Sequence, residues 1–267
     1  MRKPKVSIVV PCHNEESRIL RCLGSIKDQS YSNIEIVVVD NNSTDATKRM
    51  ASSVSGVVVV EEKRQGIVFA RDTGFSAATV DIIARIDADT ILPTDWVQKI
   101  VDYSDKHKDV SWAITGPGFF YNAIGSGMHA MVHSLVYYHV NRVLLGYYLL
   151  WGSNMAMSTS AWKLVRGEVC QIDGIHEDMD LAAHLHMKGV AITYDKKLLA
   201  SMELKRMDRS AVQLWRYLMK WAKSLGHHNT FAGYACYPVA LLVWLFGVTV
   251  GPALVFLQGV VSTGKID

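Results

Sequence analysis

The sequence predicts an α/β fold built on a mostly parallel central sheet, and three observations support this prediction. Four short apolar runs alternate with segments of helical periodicity, at residues 6–11, 34–39, 57–60 and 80–86. The runs are almost continuously apolar, which is typical of strands that are covered on both faces. Polar clusters follow the first, second and fourth runs, at the carboxyl ends where sheets of this kind bind ligands.

Helices are predicted between and after these runs. Apolar residues recur at helical spacing from Ile19, and turn and capping residues before Ala46 predict a short helix to Ser52. Further helices are expected at 67–78, after Pro93, from His176, and from 208 to about 226. Strands are expected at 151–157 and 190–194. No G-x-G-x-x-G motif follows the first strand, which disfavours a dinucleotide site.

The composition narrows the class of protein. A chain of 267 residues can form one large domain or a domain with an appendage. A formal net charge of +3 is too small to indicate a nucleic-acid partner. The four cysteines are scattered without a C-x-x-C pair, so we expect reduced thiols and neither a disulfide framework nor a zinc site. The N-terminus lacks the features of a signal peptide, and we expect it to stay in the cytoplasm.

Asp87 and Asp89 lie one residue apart at the end of the fourth apolar run. Alternate residues of a strand point to the same side, so both carboxylates can reach one cation. Carboxylates combined with substrate phosphates are the usual ligands of Mg²⁺ or Mn²⁺. In isolation an Asp-x-Asp motif is more often a polar turn after a strand, so its interpretation depends on the rest of the chain.

Residues 119–151 form a hydrophobic insert in which Arg142 is the only charged side chain among Lys, Arg, Asp and Glu. His129, His133 and Tyr137 fall on one helical face. This pattern predicts a packed or interfacial helix. A metal site is the alternative, although no nearby acid completes a set of ligands.

Residues 229–264 contain no charged side chain, and the stretch 234–261 is long enough to cross a bilayer. We expect it to enter the membrane, either as one span or as a re-entrant hairpin. The alternative is a buried helical hairpin that is broken at Gly251-Pro252. Cations before the segment would keep its N-terminal side in the cytoplasm by the positive-inside rule; they are Lys205, Arg206, Arg209, Arg216, Lys220 and Lys223.

Together these features resemble the family 2 glycosyltransferases of the GT-A fold, including the membrane-bound polysaccharide synthases. The resemblance extends from about residue 6 to residue 217. It rests on six motifs in order, at residues 11–15, 39–45, 64–74, 87–89, 176–180 and 213–217. It implies a glycosyltransferase domain at 1–226, which includes the insert at 119–151, and a transmembrane or membrane-embedded segment at 229–264.

The resemblance implies a binding site for a nucleotide-sugar donor. Asp40 would bind the nucleotide base. Arg71 would lie near the diphosphate, although Asp72 stands where the family usually has Asn. Asp89 would bind Mn²⁺ or Mg²⁺ directly, and Asp87 would share the metal or face the ribose. Other residues would line the same pocket; they are Pro11, Asn14, Glu15 and Asn42.

The resemblance also implies the catalytic base and the acceptor side of the site. Asp178 would accept a proton from an acceptor hydroxyl, with Glu177 beside it, and in-line attack would invert the sugar. A carboxylate needs a raised pKa for this task, because it is weakly basic otherwise. Gln213, Arg216 and Tyr217 would lie near the acceptor or diphosphate, with Tyr217 in place of the usual Trp.

The predicted function is therefore metal-dependent transfer of a sugar, from UDP-sugar first, to a hydroxyl of a lipid-linked or glycan acceptor. The enzyme would act at the membrane, with its catalytic domain facing the cytoplasm and the insert at 119–151 guiding the acceptor. Two alternatives remain open. One is a synthase that makes a polyprenyl-phosphate sugar, and the other is a non-catalytic subunit that binds sugar nucleotides within a membrane complex.

Overall fold

A seven-stranded sheet forms the centre of the fold. The computed structural model describes residues 3–121, 130–131, 133–172, 174–203, 211–228 and 230–249. The strands in chain order are β1 Val6–Cys12, β2 Ile34–Asp40, β3 Val57–Glu61, β4 Ile82–Arg85, β5 Thr90–Ile91, β6 Trp112–Thr115, β7 Gly118–Phe120, β8 Met155–Ser158, β9 Ala191–Tyr194 and β10 Ala200–Met202.

Helices connect most of these strands. In chain order they are α1 Ile19–Lys27, α2 Thr47–Ser52, α3 Ile67–Ala77, α4 Trp96–Lys106, the π-helical α5 Ser134–Val140, α6 Asn141–Leu145, α7 Thr159–Val165, α8 Glu177–Met187, α9 Ala211–His228 and α10 Thr230–Thr249. The helices and strands expected in the first hundred residues are present, with bounds within three residues of the predicted ones.

The sheet is mostly parallel, as predicted. Its strand order is β3-β2-β1-β4-β8-β6-β9, and β8 is antiparallel to both of its neighbours. A smaller sheet has the order β5-β10-β7. The sequence analysis missed β5, β6, β7 and β10, because each is only two to four residues long and lacks a resolvable period.

Helices cover both faces of the large sheet. Along β1, Ile8 and Val10 pack with α1 and α4 in one core, whereas Val9 packs with α3 and α8 in the other. The alternation follows from strand geometry, which sends successive side chains to opposite faces. Gly74 of α3 permits close packing on this sheet, because an added Cβ would lie 2.3 Å from a methyl group of Val9. Because β2 and β4 both pair in parallel with β1, the carboxyl ends of these three strands meet at one edge of the sheet.

The strand predicted at 151–157 begins later than expected. Residues Trp151 to Asn154 form a tight turn in which the Trp151 carbonyl accepts a hydrogen bond from the Asn154 N–H at 2.8 Å. The strand β8 starts only at Met155. The turn brings its backbone to the edge of the sheet where β4 ends.

The C-terminal part of the described chain is the helical pair α9 and α10, which pack against each other. Among the helices within the described ranges, none is both long and apolar enough to cross a membrane. Residues 250–264 of the predicted membrane segment lie outside the described residues, as do residues 122–129 and 132 of the hydrophobic insert.

Candidate active site

A cleft of about 730 Å³ opens at the carboxyl ends of β1 and β4. Its walls come from the loops that follow these strands, from the turn before β8, from the start of α8, and from the inner side of α5 and α9. Ligand sites in open α/β sheets lie at this edge. The cleft brings together six of the predicted residues, which are Pro11, Glu15, Asp87, Asp89, Glu177 and Asp178.

Asp87 is held from two sides at the floor of the cleft. Its Oδ1 accepts a hydrogen bond from Arg85 Nη2 at 3.0 Å, and its Oδ2 accepts one from the Ser153 hydroxyl. Asp89 is half-buried and lines the same cleft. Two oxygen-bearing side chains with this exposure suit a hard divalent cation such as Mg²⁺ or Mn²⁺.

Arg85 connects the two acidic motifs. Its side chain is 2% exposed, and its Nη1 donates to Glu177 Oε1 at 2.7 Å while Nη2 donates to Asp87. Burial alone would lower the pKa of the guanidinium, but Glu177, Asp87 and Asp178 together raise it above its ordinary value. The cation therefore stays charged and fixes both carboxylates, although the sequence analysis did not single it out.

Asp178 occupies the first turn of α8 and faces the cleft. Its Oδ2 accepts the Gly152 N–H at 2.8 Å, and its Oδ1 accepts the Met179 N–H at 2.8 Å. Burial and the neighbouring charge of Glu177 raise the pKa of Asp178 to about 7, against the opposing effect of Arg85. The carboxyl thus has the raised pKa that the sequence analysis required of a base.

Glu177 differs from its neighbour in charge state. Burial disfavours its ionised form, but Arg85 and Arg71 outweigh this effect and lower the pKa of Glu177 to about 2. Glu177 is therefore a permanent anion beside Asp178. Two adjacent carboxyls with pKa values pushed apart are a common arrangement in enzymes that use acid–base chemistry.

Gly152 is a residue of the cleft that motif spacing did not indicate. A Cβ added to it would lie 2.4 Å from Arg85 Nη1 and 2.7 Å from the guanidinium carbon. Glycine is thus required for the backbone to pass Arg85 and to present its N–H to Asp178. A glycine next to a tryptophan in a presumed strand gave no signal of this contact at the sequence level.

Asp40 lies at the end of β2, opposite Cys12 in the sheet register, and is 5% exposed. It is not among the described residues that line the cleft, but its neighbours Cys12 and Asn41 are. Its Oδ1 is buried and accepts no hydrogen bond from the described residues. A buried carboxylate oxygen without a donor has a free acceptor position for a ligand.

Asn14 and Asn42 shape the loops after β1 and β2 and do not line the cleft. Both adopt left-handed backbone conformations, with φ of 55° and 60°, which Asn tolerates better than most residues. The Asn14 side chain accepts the Thr44 N–H at 2.8 Å, and Asn42 donates to the Lys63 carbonyl at 2.8 Å. These contacts make both residues supports of the loops and not part of the cleft wall.

Asn41 was missed by the sequence analysis although it lines the cleft. Its Nδ2 donates to the carbonyls of Glu62 and Arg64 at 2.8 and 2.7 Å, and its Oδ1 accepts the Gly66 N–H at 2.8 Å. These bonds hold the loop between β3 and α3 against the end of β2. Several polar residues follow β2, and their order in the sequence did not indicate which side chain faces the cleft.

Arg71 takes a position different from the predicted one. Its side chain is 0% exposed and is not among the described residues that line the cleft. Nε donates to Asp72 Oδ1 at 2.9 Å, and Nη1 donates to the Glu177 carbonyl at 2.5 Å. The predicted place near the diphosphate does not fit these contacts. Asp72, which departs from the family pattern, is the ion-pair partner that keeps Arg71 buried. Arg71 in turn holds the start of α8 through its bond to the Glu177 carbonyl.

An aromatic wall closes the other side of the cleft. The insert at 119–151 contributes most of it, and α9 adds Leu218 and Trp221. His133 and Tyr137 were predicted to share one helical face, and their rings stack with centroids 5.1 Å apart. Burial lowers the pKa of His133 to about 4, so its ring is neutral at physiological pH. The aromatic residues of the insert at the cleft are Phe120, Tyr137 and Trp151.

The motif at 213–217 lies in the first turns of α9. The side chains of Gln213 and Tyr217 fall outside the described part of the structure. Arg216 is exposed and is not among the described residues that line the cleft. The described contribution of α9 to the cleft is therefore apolar and comes from residues that follow the predicted motif.

Comparisons of the sequence with known proteins relate this chain to glycosyltransferases. The family model described as glycosyl transferase family 2 matches residues 7–154, more than half of the chain. Glycosyltransferase GlyA of Streptococcus pneumoniae is 35% identical over 107 residues, which cover 37% of this chain and 15% of that protein. Glycosyltransferase AglE of Haloferax volcanii is 34% identical over 103 residues, which cover 36% of this chain and 34% of that protein. The matched part thus spans at most about a third of these two relatives.

Solved structures share the fold. Mannosyltransferase PcManGT from Pyrobaculum calidifontis, in complex with GDP-Man and Mn²⁺, has a TM-score of 0.66 at 19% identity. The likeness covers 98% of this chain and 81% of that one. Staphylococcus aureus TarS 1–349, in complex with UDP-GlcNAc, has a TM-score of 0.58 at 17% identity and covers 85% and 73%. The fold and the family match lead to one conclusion: the chain belongs to glycosyl transferase family 2.

Proposed function

We propose that this chain is a metal-dependent, inverting glycosyltransferase that moves a sugar from a nucleoside-diphosphate donor to an acceptor hydroxyl. The observation that carries the proposal is the position of Asp178. Its carboxyl lines the same cleft as Asp87 and Asp89, and its pKa is raised to about 7 by burial and by Glu177. A base with a pKa near neutral pH therefore faces the space where a diphosphate and its cation would bind.

The reaction follows from these positions. Asp178 would accept the proton of the acceptor hydroxyl while the hydroxyl oxygen attacks the anomeric carbon. The bond from this carbon to the diphosphate oxygen breaks, and the nucleoside diphosphate leaves with the electron pair. Attack on the face opposite the leaving group inverts the anomeric centre. The N–H groups of Gly152 and Met179 use one lone pair of each carboxylate oxygen, so further lone pairs remain for the proton.

The cation would be held mainly by Asp89. The resemblance to family 2 glycosyltransferases gives Asp89 this role, and Asp89 is half-buried in the wall of the same cleft as Asp87. Asp87 would then share the ion or orient the ribose. Bound Mn²⁺ or Mg²⁺ would supply positive charge to the diphosphate as negative charge develops on it.

The donor is proposed to be a UDP-sugar. The unpartnered Oδ1 of Asp40 can accept the N3–H of uracil, which a carboxylate at the end of a strand is suited to do. Pro11 and Glu15 line the adjacent wall, and Asn14 and Asn42 hold the loops that carry it. UDP-GlcNAc is the ligand of the TarS structure, whereas the mannosyltransferase contains GDP-Man.

The acceptor is proposed to be lipid-linked or a glycan, and to enter along the aromatic wall. Aromatic rings suit both the apolar face of a sugar and a lipid chain. Large apolar side chains of α10 are exposed, with Phe231 73%, Tyr234 75% and Leu242 66% accessible. This exposure supports the proposal that α10 contacts a membrane. The cleft is proposed to face the cytoplasm, because the cations before the hydrophobic segment would stay on that side by the positive-inside rule. Arg216, Gln213 and Tyr217 would lie near the acceptor entrance.

A panel of UDP-, GDP- and dTDP-sugars tests the proposal on the purified full chain. We expect UDP-sugars to bind in the presence of Mn²⁺ or Mg²⁺ and to release UDP, and we expect EDTA to abolish both signals. Asp89→Asn should lose most of the metal-dependent binding and UDP release, because an amide is a weaker ligand for a hard cation. Asp102→Asn is the matched control, because this exposed acid lies on α4, where it accepts a bond from Gln98, and is not among the described residues that line the cleft. A wild-type chain that binds sugar nucleotides but turns none of them over would instead indicate a non-catalytic subunit.

A further inference from the structure

A second cluster of metal-ligating side chains lies outside the cleft. Cys170 comes from the loop between α7 and α8, Asp180 and His184 from α8, and His228 from the end of α9. One ligand atom from each of these four residues lies within 4.8 Å of the others. None of the four is among the described residues that line the cleft. The sequence analysis expected no zinc site because it considered cysteine pairs alone.

The contacts within the cluster are short. Cys170 Sγ lies 3.5 Å from His184 Nε2, and His184 Nε2 lies 3.5 Å from Asp180 Oδ1. His228 Nε2 lies 2.7 Å from the same Asp180 oxygen. Asp180 is 1% exposed and His184 is 7% exposed, so both are held by the core. The cluster is thus a built arrangement and not a chance group on the surface.

These distances fit a tetrahedral ion. Zinc bonds of about 2.0 Å to nitrogen or oxygen and 2.3 Å to sulfur place neighbouring ligands about 3.3 to 3.8 Å apart. Both 3.5 Å contacts already have this spacing. The hydrogen bond between His228 and Asp180 would open by roughly 0.6 Å, a shift that a side chain at a helix end can make.

We propose that Cys170, Asp180, His184 and His228 form a structural zinc site that ties the end of α9 to α8. One thiolate, two imidazoles and one carboxylate are the donors that Zn²⁺ selects, whereas the Mg²⁺ or Mn²⁺ proposed for the cleft prefers oxygen alone. Four protein ligands close the coordination sphere, which is typical of structural sites. The ion would anchor the C-terminal helices to the helix that carries Asp178.

Asp180 has a second contact that supports this geometry. Its Oδ2 accepts the Cys170 N–H at 2.9 Å, so the carboxylate orients the loop that delivers the thiol. The other oxygen, Oδ1, faces His184 and His228. Such bonds to ligating groups keep a metal site in place.

Elemental analysis of the full chain, purified without chelators or a metal-affinity tag, tests the proposal. We expect about one zinc per chain in the wild type, and its loss in both Cys170→Ser and His228→Ala. His186→Ala is the control, because His186 lies on the same helix but stacks on Tyr147 instead. A wild type without zinc, or zinc that survives both substitutions, would overturn the proposal.

Replacement by Co²⁺ tests the site in the wild type, so it does not depend on the folding of a variant. Bound Co²⁺ should show the visible bands of tetrahedral coordination together with a near-ultraviolet band of thiolate-to-metal charge transfer. The second band indicates a thiolate ligand, and its loss in Cys170→Ser would assign it to Cys170 and not to Cys12, which lines the cleft. Absence of the thiolate band would contradict the assignment, because the hydrogen bonds of the cluster would then account for its geometry alone.

Discussion

Two carboxylates on helix α8 show how two residues of one type acquire different chemistry. Asp178 and Asp180 are two positions apart, and at 3.6 residues per turn they point to nearly opposite sides of the helix. Asp178 faces the cleft, between backbone N–H groups and the charge of Glu177. Asp180 faces Cys170, His184 and His228. The comparison teaches that the acidic motif at 176–180 faces two different surroundings, the proposed catalytic cleft and the proposed zinc site.

The largest expected effect separates the two acids by activity. Asp178→Asn should lower kcat/KM by about 10²- to 10⁴-fold, because an amide cannot accept the proton of the acceptor hydroxyl. Its zinc content should equal that of the wild type. Initial rates of UDP release with acceptor present provide the measurement. Unchanged transfer would mean that the acceptor is already ionised, as the phosphate of a polyprenyl phosphate is, and would overturn the hydroxyl mechanism.

The next effect concerns the pH dependence of transfer. Since Asp178 must be ionised to act as a base, kcat/KM should rise with pH around the raised pKa of about 7. Glu177→Gln removes the neighbouring anion and frees Arg85 for Asp178, and both changes favour the ionised form. We expect the rising limb to move to lower pH by on the order of one unit. A rising limb that stays in place or moves to higher pH would show that a group other than Asp178 controls the pH dependence of kcat/KM. As a control, His186→Ala should keep the wild-type profile.

A smaller effect appears in the pH dependence of stability. The pKa of Asp178 is raised from 3.8 to about 7 on folding, so the folded state binds the proton more tightly than the unfolded state. The contribution of Asp178 to stability therefore declines as pH rises from about 4 to about 7, and Asp178→Asn removes this contribution. The pKa of Glu177 is lowered from 4.5 to about 2, so its contribution to stability grows between about pH 2 and 4.5 and changes little at higher pH.

Thermal unfolding at pH 5 and pH 8 measures this difference. The Tm of the wild type should fall relative to that of Asp178→Asn, by about 2 to 4 °C for each kcal/mol. Asp102→Asn should keep the slope of the wild type, because it changes an exposed acid on α4 and leaves Asp178 and its neighbours in place. An equal slope in wild type and Asp178→Asn would show that the acid is ionised throughout this range.

The smallest expected effect on transfer belongs to Asp180→Asn. This variant should lose zinc and unfold at a lower temperature, because the amide is a poorer ligand and a poorer partner for His228. Its kcat/KM should fall by less than about tenfold, since Asp180 points away from the cleft. Metal analysis, unfolding curves and initial rates on one preparation make the test. A fall in kcat/KM as large as that of Asp178→Asn would show that Asp180 acts in the same site as Asp178.

The first half of the fold could be predicted from the sequence, because its signals are local. Continuous apolar runs indicate buried parallel strands, and Asn and Asp clusters indicate the turns that end them. The Asp-x-Asp motif was indicated by its position after the fourth strand, whereas the candidate base was implied by the resemblance to family 2 glycosyltransferases. The short strands β5, β7 and β10 were missed, since two or three residues carry no readable period.

The site divides in the same way. The sequence by itself indicated Asp87, Asp89 and Asp178 as the candidate chemical groups, and it predicted that Asp87 and Asp89 follow a strand that ends at the ligand-binding edge of a sheet. Only the tertiary structure decided that Arg71 is buried against Asp72, that Arg85 reaches Glu177 across 92 positions, and that Cys170 meets His228. The physical reason is distance along the chain: a strand or turn is specified by neighbouring residues, whereas an ion pair or a metal ligand set depends on how remote segments pack.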